Sequence, residues 1–539
     1  MIETSSPQPP VETKKIPGTP AIRRITRKQV KARPIPSFWP LILILALQAI
    51  ISVATLHNTA FQDEGLYLYA GRQLLRYWMG GPVPLDHYAF YFSGYPGVYP
   101  VIGGTLDIIG GLELARSFSL FCMLGVNAVV YSSTQKFFQR PAAIFASATY
   151  ASLGTVLFIG RLATFDALCL FLIALAAAIA YQVSTSRHPW LALLIGPLLV
   201  LSILAKYAAL LFALPVLGIL IFCSIAYLGW WRMLLRLALA IVTLASSLFV
   251  AYQIIDKAAF HAIVGSTTNR VAEIQKSRLE LFLHVLQMGG IVYAAALLGV
   301  VLIFLRYPRL RLIALLLFAS SWLAPAYHIY EQEAVSIDKH MAFGLFFAMP
   351  LAGYALVWLS GYTQRTFSHA RGRYWLAGLS VVLIVFTLGV QQSQTLYASW
   401  ANTSTLSYAL HTQMRDGSGR FLVEDIEVAR YDAEDITELW QWNGVNYFYY
   451  VNAAHQPLLG DAALAQAIKD RYFVLIELSF NYQPAEAHFI AQQMAASRNY
   501  DLIDKIPFQN SFGRGYFYLW RSAAVAGHGN FTRLSQIKV

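Results

Sequence analysis

The chain has 539 residues, of which 57% are hydrophobic and 13% charged, about half the roughly 25% charged share of soluble domains. A string of soluble domains this long needs more charge on its surface, so that class is excluded, and the long apolar runs point to a bilayer. The net charge of +12 brings no recognition fold with it and gathers in the first 35 residues and between apolar runs, which excludes a nucleic-acid partner and fits charge-directed membrane orientation.

Lys14, Lys15, Arg23, Arg24, Arg27, Lys28, Lys31 and Arg33 lie in a Pro-rich stretch, predicting a disordered basic cytoplasmic tail over 1–37. The apolar run Phe38 to Leu56 suits a retained anchor better than a signal-peptide core. Further spans are expected at 113–135, 141–160, 164–183, 190–205, 207–229, 233–254, 283–305, 311–330, 341–360 and 375–393, giving about eleven transmembrane helices. Lys136 and Arg140, Arg187, Arg232 and Arg236, Arg306, Arg309 and Arg311, then Arg365, Arg371 and Arg373 all fall on one side of that arrangement. A multi-pass protein of the plasma (inner) membrane follows, with the N-terminus cytoplasmic and the C-terminal part extracytoplasmic.

The first outward connection, 57–112, is long. Leu66, Tyr67, Tyr69, Ala70, Leu74, Tyr77 and Trp78 have the spacing of an amphipathic helix over Glu64 to Met79, lying in the interface. The Gly-, Pro- and Tyr-rich stretch from Tyr91 to Gly111 predicts a short interfacial or re-entrant segment. The connection 256–282 is of mixed charge and expected to be helical. From about residue 395 the pattern changes: Arg420 to Glu424 and Arg471 to Glu477 read as strands, with a helix at Ala462 to Lys469 between them. The predicted fold is therefore membrane all-α over 38–394, with a small mixed α/β domain over 395–539 on the outer face.

Cys122, Cys169 and Cys223 all lie in apolar runs and read as small buried hydrophobes, with no disulfide or zinc spacing. Asn402-Thr-Ser and Asn530-Phe-Thr match the short glycosylation pattern. Trp440, Trp442 and Tyr447 suit core packing or stacking on a sugar. No Walker loop, dinucleotide glycine pattern, His-Glu-x-x-His or nucleophile elbow is present.

Chemistry-bearing residues recur on the outward turns. Asp63 and Glu64 precede the aromatic interfacial helix; they are solvated charges, or carboxyls that desolvation makes usable as a general base. Arg161 and Asp166 lie at the turn between the third and fourth spans. They act there as an interfacial anchor and a helix-start charge, or as a phosphate clamp and second acid. Lys206 interrupts an apolar stretch, either snorkelling or meeting an anionic lipid phosphate. Lys339 and His340 open the tenth span, where a helix start and two basic side chains suit phosphate, while Glu331, Glu333 and Asp338 read as solvated charges.

Phe61-Gln-Asp63-Glu64-Gly-Leu-Tyr67, Tyr95-Pro96-Gly-Val-Tyr99-Pro100, Ala115-Arg116 and Arg161-Leu-Ala-Thr-Phe-Asp166, in that order on outward segments, resemble the GT-C membrane glycosyltransferases. The likeness is greatest to the branch holding protein O-mannosyltransferases and the lipid A aminoarabinose transferase, and it covers roughly residues 38–360. It implies a polyprenyl-phosphate-linked sugar donor, an inverting transfer to a lipid, glycan or protein acceptor hydroxyl, and a role in cell-envelope glycosylation. On that match Asp63 is the base, Glu64 positions it, and Asp166 is the second-loop acid. Arg161, Lys206, Lys339 and His340 hold the donor phosphate, with Lys339-His340 standing where an Arg-Tyr pair is commoner. Some relatives use a divalent metal cation, for which Asp63 and Glu64 are the only candidate ligands. An O-antigen-type ligase or polymerase and a lipid-sugar transporter are the alternative readings. A transporter would show charges buried at mid-span and internal symmetry, and neither is apparent in this sequence.

Overall fold

The structure, a computed structural model, describes residues 38–255, 257, 260–261, 274–361, 371–414, 419–446 and 448–523. The predicted basic tail, most of the 256–282 connection, Arg365, the side chains of Arg371 and Arg373, Tyr447 and Asn530 lie outside the described residues.

Every apolar run expected to span is helical. Helix α1 covers Trp39–Thr55 and α2 covers Gln62–Trp78, while α3 runs from Tyr99 to Ala151. Non-helical backbone at Gly110–Gly111 and at Phe138–Gln139 breaks α3 into arms. The first arm falls within the stretch Tyr91 to Gly111 expected to be interfacial or re-entrant, and the later arms, with the short α4 (Gly154–Ile159), cover the second and third apolar runs. Helices α5 (Phe165–Thr185), α6 (Ile195–Ala205), α7 (Leu210–Leu228) and α8 (Trp230–Ile254) follow. Then come α9 (Arg278–Arg306), α10 (Arg311–Ser321), α11 (Leu323–Glu331), α12 (Ile337–Leu359) and α13 (Arg371–Tyr397). Among the described residues, 8 helical segments are long and apolar enough to cross a membrane, and α1 and the segment Pro189–Ala205 are shorter apolar helices.

Helix α12 is the axis of the bundle: nearly all of its residues from Met341 to Val357 are buried. Phe212 of α7 stacks on Phe347 of α12 at 5.6 Å between ring centroids. Aromatic contacts of this kind stand in for the hydrophobic drive that lipid cannot supply between helices. All three cysteines are buried and free, as the sequence suggested.

The basic connections among the described residues collect at one end. Lys136 donates to Gln182 (2.5 Å), Arg236 donates to the carbonyl of Ser186 (2.8 Å), and Phe138 stacks on Tyr354, which also meets Tyr307. At the other end sits the C-terminal domain. It opens with α14 (Ser404–Met414) and contains a five-stranded sheet in the order β2-β1-β5-β7-β6. Its strands are β1 (Arg420–Val423), β2 (Trp442–Gly444), β5 (Phe473–Leu478), β6 (Tyr500–Asn510) and β7 (Gly513–Ser522), and β3 (Tyr449–Val451) pairs separately with β4 (Pro457–Leu459). β1 runs parallel to β2 and β5, and the antiparallel β6–β7 hairpin closes the other edge. Helices α15 (Ile426–Asp432), α16 (Gly460–Lys469) and α17 (Pro484–Ser497) complete it. The predicted strands and helix thus appear as β1, β5 and α16, shifted by one or two residues, while the β6–β7 hairpin was not foreseen. Trp442 is in the core against Phe421 (5.3 Å), whereas Trp440 stays 47% exposed.

Candidate active site between the bundle and the C-terminal domain

Helix α2 lies between the membrane bundle and the C-terminal domain, and close backbone approach on both sides explains its glycines. A Cβ on Gly65 would come within 2.9 Å of the carbonyl oxygen of Glu427 at the start of α15. Charges complete the contact. Arg72 pairs with Asp107 of α3 and, at 2.7 Å, with Glu434, which also takes Arg76 at 3.1 Å. Arg430 pairs with Asp86 (2.7 Å), and Tyr431 donates to Asp107 (2.9 Å). Burial, and after it the nearby Asp86 carboxylate, push the Tyr91 hydroxyl well above its ordinary value against the opposing charge of Arg430.

The first turn of α2 carries Asp63 and Glu64. Glu64 occupies the third helical position and accepts from the backbone N–H of Phe61 at 2.8 Å, closing the helix start. Its other contacts come from elsewhere: Arg116 Nε (2.9 Å) and Nη2 (2.7 Å), and the N–H of Ala163 (2.7 Å) in the turn before α5. Arg116 also donates to the carbonyls of Asn58 and Thr59. A fully buried carboxylate with four donors ties α2, α3 and the 160–164 turn together. Asp63 points the other way. Its partner is the ammonium of Lys339, from the start of α12, and 27% of its side chain remains exposed. Lys339 lies over the Phe61 ring at 4.9 Å.

A second pair lies beside the first. Asp166, at the start of α5, is fully buried, accepts from Thr164 at 3.0 Å and pairs with Lys206 at 2.5 Å. Lys206 is placed by a short backbone pairing: Tyr95 donates to Leu204 (2.7 Å) and Tyr207 to Ser93 (2.8 Å). Gly94 permits it, since a Cβ there would meet the carbonyl of Ala205 at 2.2 Å. Asp166 interacts electrostatically with both Lys206 and Lys339, so Asp63, Lys339, Asp166 and Lys206 form a chain of alternating charge.

Arg161 is buried and pairs at 2.5 Å with Glu113, which is 65% exposed and also takes Arg116 at 3.1 Å. His340 faces His328, with Nδ1 2.8 Å from Nε2, while His328 Nδ1 is 2.8 Å from the carbonyl of Glu333. That carbonyl can only accept, so His328 carries its proton on Nδ1, and in the neutral pair His340 donates from Nδ1 to it. His340 Nε2 is then an acceptor, and becomes a donor to phosphate only when protonated.

The structure therefore brings Asp63, Asp166, Lys206 and Lys339 into one cluster. Glu64 joins it from behind, Arg161 joins through Glu113 and Arg116, and His340 is turned towards His328. Glu113 and Arg116 were not singled out as site residues. Their signal was a charged pair three residues apart at the start of an apolar run. Four carboxylates (Asp63, Glu64, Glu113, Asp166) face four cations (Arg116, Arg161, Lys206, Lys339) in this set. Asp63 and Glu64 do not form a cation cage, because both Glu64 oxygens are taken by donors and Asp63 is paired with an ammonium. Among the described residues no three metal-ligating side chains converge.

No family profile matches the sequence, and no curated protein matches it. Solved structures do. The apo structure of ArnT from Cupriavidus metallidurans superposes with a TM-score of 0.58 at 13% identity, over 91% of this chain and 99% of that one. The same protein bound to undecaprenyl phosphate gives 0.58 at 13%, over 92% and 100%. The apo oligosaccharyltransferase of Archaeoglobus fulgidus gives 0.55 at 12%, over 87% and 74%, and a further structure of it is a complex with zinc and sulfate.

Proposed function

We propose that this chain, which has the fold of the GT-C membrane glycosyltransferases, moves a sugar from a polyprenyl-phosphate carrier to an acceptor hydroxyl on the outer face of the plasma membrane. The observation that carries the reading is the Asp63–Lys339 pair, a solvent-reaching carboxylate held by a buried ammonium next to the Lys206–Asp166 pair. The occupied ArnT structure, a fold neighbour holding undecaprenyl phosphate, supports the class of carrier.

The charge balance suggests how the parts divide the work. An incoming phosphodiester brings negative charge to a neutral set and needs a cation that can leave its carboxylate. Lys339 and Arg161 can, because their partners Asp63 and Glu113 reach solvent and can be rehydrated. Lys206 and Arg116 cannot, because their partners Asp166 and Glu64 are fully buried and would be stranded. Lys339 thus shifts from Asp63 to the donor phosphate, assisted by Arg161 and by His340 in its protonated form. Asp63, relieved of its ion pair, takes the proton of the acceptor hydroxyl. The acceptor oxygen bonds to the anomeric carbon as the carbon–phosphate oxygen bond breaks, and the electron pair departs on the polyprenyl phosphate. A single displacement of this kind inverts the anomeric centre. Asp166 and Lys206 hold the local field, and Glu64 fixes the turn that aims Asp63.

General-base help is worth about 10²–10⁴-fold. Alignment of donor and acceptor and neutralisation of the leaving phosphate supply the rest.

The test is a reconstitution. Protein in proteoliposomes is offered a panel of polyprenyl-phosphate sugars with lipid, glycan and peptide acceptors. The expected result is release of polyprenyl phosphate together with a glycoside of inverted anomeric configuration. Retention of configuration, or failure of every lipid-phosphate donor while a nucleotide sugar is consumed, contradicts the reading.

A further inference from the structure

Glu424 follows β1 and is buried. Its carboxylate is spent on backbone. Oε2 accepts from the N–H groups of Ser479 (2.6 Å) and Phe480 (2.8 Å), and Oε1 from those of Tyr482 (2.7 Å) and Gln483 (2.7 Å). Four backbone donors on one carboxylate mould the loop after β5 into a single shape. Phe480 accepts a left-handed backbone, φ +57°, as part of that shape. Its ring packs on Tyr518 (5.6 Å) and His488 (5.0 Å), and Asn510 of β6 donates to Asn481 (3.3 Å).

The shape has a destination. The hydroxyl of Tyr482 donates to the side-chain oxygen of Gln62, the residue next to Asp63. Tyr482 is nonetheless 40% exposed. Lys339 thus reaches Asp63 from a membrane helix, and Tyr482 reaches its neighbour from the water-facing domain.

We propose that the Ser479–Gln483 loop is the acceptor subsite, with Tyr482 the residue that selects a carbohydrate acceptor and Glu424 the residue that positions it. This rests on the glycosyl-transfer reading above. The side chain that this loop sends to the neighbour of Asp63 is the aromatic Tyr482, against the neutral amide of Gln62 on α2, and Ser479–Gln483 holds no charged residue. A sugar ring presents C–H groups to an aromatic face and hydroxyls to amides, which both donate and accept. The cations that suit a phosphate all come from the membrane helices, so the donor and acceptor sides of Asp63 are chemically distinct.

The experiment uses the full-length protein in nanodiscs with a polyprenyl-phosphate sugar it turns over. Methyl mannopyranoside, methyl glucopyranoside and methyl galactopyranoside are compared with a neutral Ser/Thr-containing hexapeptide as acceptors. A pyranoside is expected to be taken, and Tyr482→Ala should raise its KM about tenfold, the scale of one lost aromatic contact, while the donor KM stays unchanged. Tyr482→Phe keeps the ring and loses only the bond to Gln62, so its acceptor KM should rise less than threefold. Saturation-transfer NMR with the same pyranosides, which needs no donor chemistry, should show contact in the parent and lose it in Tyr482→Ala. An unchanged acceptor KM in Tyr482→Ala, a peptide taken in preference to every pyranoside, or NMR contact that survives the substitution overturns the assignment. Donor turnover in the parent separates these results from a failure of the transfer reading, which would abolish turnover itself.

Discussion

The first turn of α2 sends two adjacent carboxylates into opposite surroundings, Glu64 into a closed wall of four donors and Asp63 towards solvent with a single ammonium partner. The same division recurs in the cations: Arg116 and Lys206 each hold a fully buried carboxylate, although Arg116 also meets Glu113, while Arg161 and Lys339 hold only carboxylates that reach solvent. A buried and saturated ion pair resists change, because breaking it strands a charge. A pair with one solvent-reaching member can exchange partners with a ligand. Proximity in sequence is thus a poor guide to shared function here, and the accessibility of the partner is a better one.

The sharpest way to break the comparison is to neutralise each carboxylate in turn. Asp63→Asn should lower the turnover rate by about 10²–10⁴-fold, the contribution of a general base, with a smaller loss of stability than Glu64→Gln, because the Lys339 it leaves still interacts with Asp166. Glu64→Gln should act through stability instead, costing about 3–5 kcal/mol as the buried Arg116 loses its charged partner. Thermal or denaturant unfolding of the purified protein reads that loss. A Glu64→Gln variant as stable as the parent would dissolve the distinction.

Among the cations, Lys339→Met should weaken donor binding roughly 10–100-fold, the worth of one charge-assisted hydrogen bond of about 1.5–3 kcal/mol. Its readout is the donor KM, or direct binding of polyprenyl phosphate. Lys206→Met should instead destabilise the fold, and adding Asp166→Leu should restore stability by removing the stranded carboxylate.

The expected effect furthest from the reaction lies in the C-terminal domain. Burial, with Glu427 and Glu424 nearby, pushes the Asp425 carboxyl up to about 8. A raised carboxyl stabilises the folded state fully below its ordinary value of 3.8. Between there and about 8 the unfolded chain ionises while the folded one keeps its proton, so stability falls across that window and then levels. Asp425 caps α15 through Val428, and Asn is an equally good cap. Asp425→Asn should therefore match the parent at pH 4 and exceed it above pH 8 in pulse proteolysis of the intact protein.

Much of the bundle was legible because bilayer thickness dictates the length of an apolar run, so composition alone marks the helices. Asp63, Asp166, Lys206 and Lys339 were legible as charges at the ends of such runs. Their pairing was not: Asp63 and Lys339 are 276 residues apart, and no local pattern says which charge on one turn meets which on another. The partners that close around Glu64 were not legible, because its helix start, Arg116 and the N–H of Ala163 meet only in three dimensions. The β6–β7 hairpin escaped because its strands alternate weakly and carry polar residues on both faces, as in Asp501, Asp504, Lys505 and Arg514. Tyr482 gave no signal at all, since its role depends on a loop shaped by a carboxylate 58 residues earlier.

The most direct test of the account is a single turnover. Asp63→Asn protein is loaded with a radiolabelled polyprenyl-phosphate sugar that the parent transfers, binding is verified by co-purification, and an excess of acceptor is added. The account predicts that the donor stays bound and its sugar stays on the lipid for at least a hundred parental half-times. Transfer at the parental rate from donor bound to Asp63→Asn would contradict it.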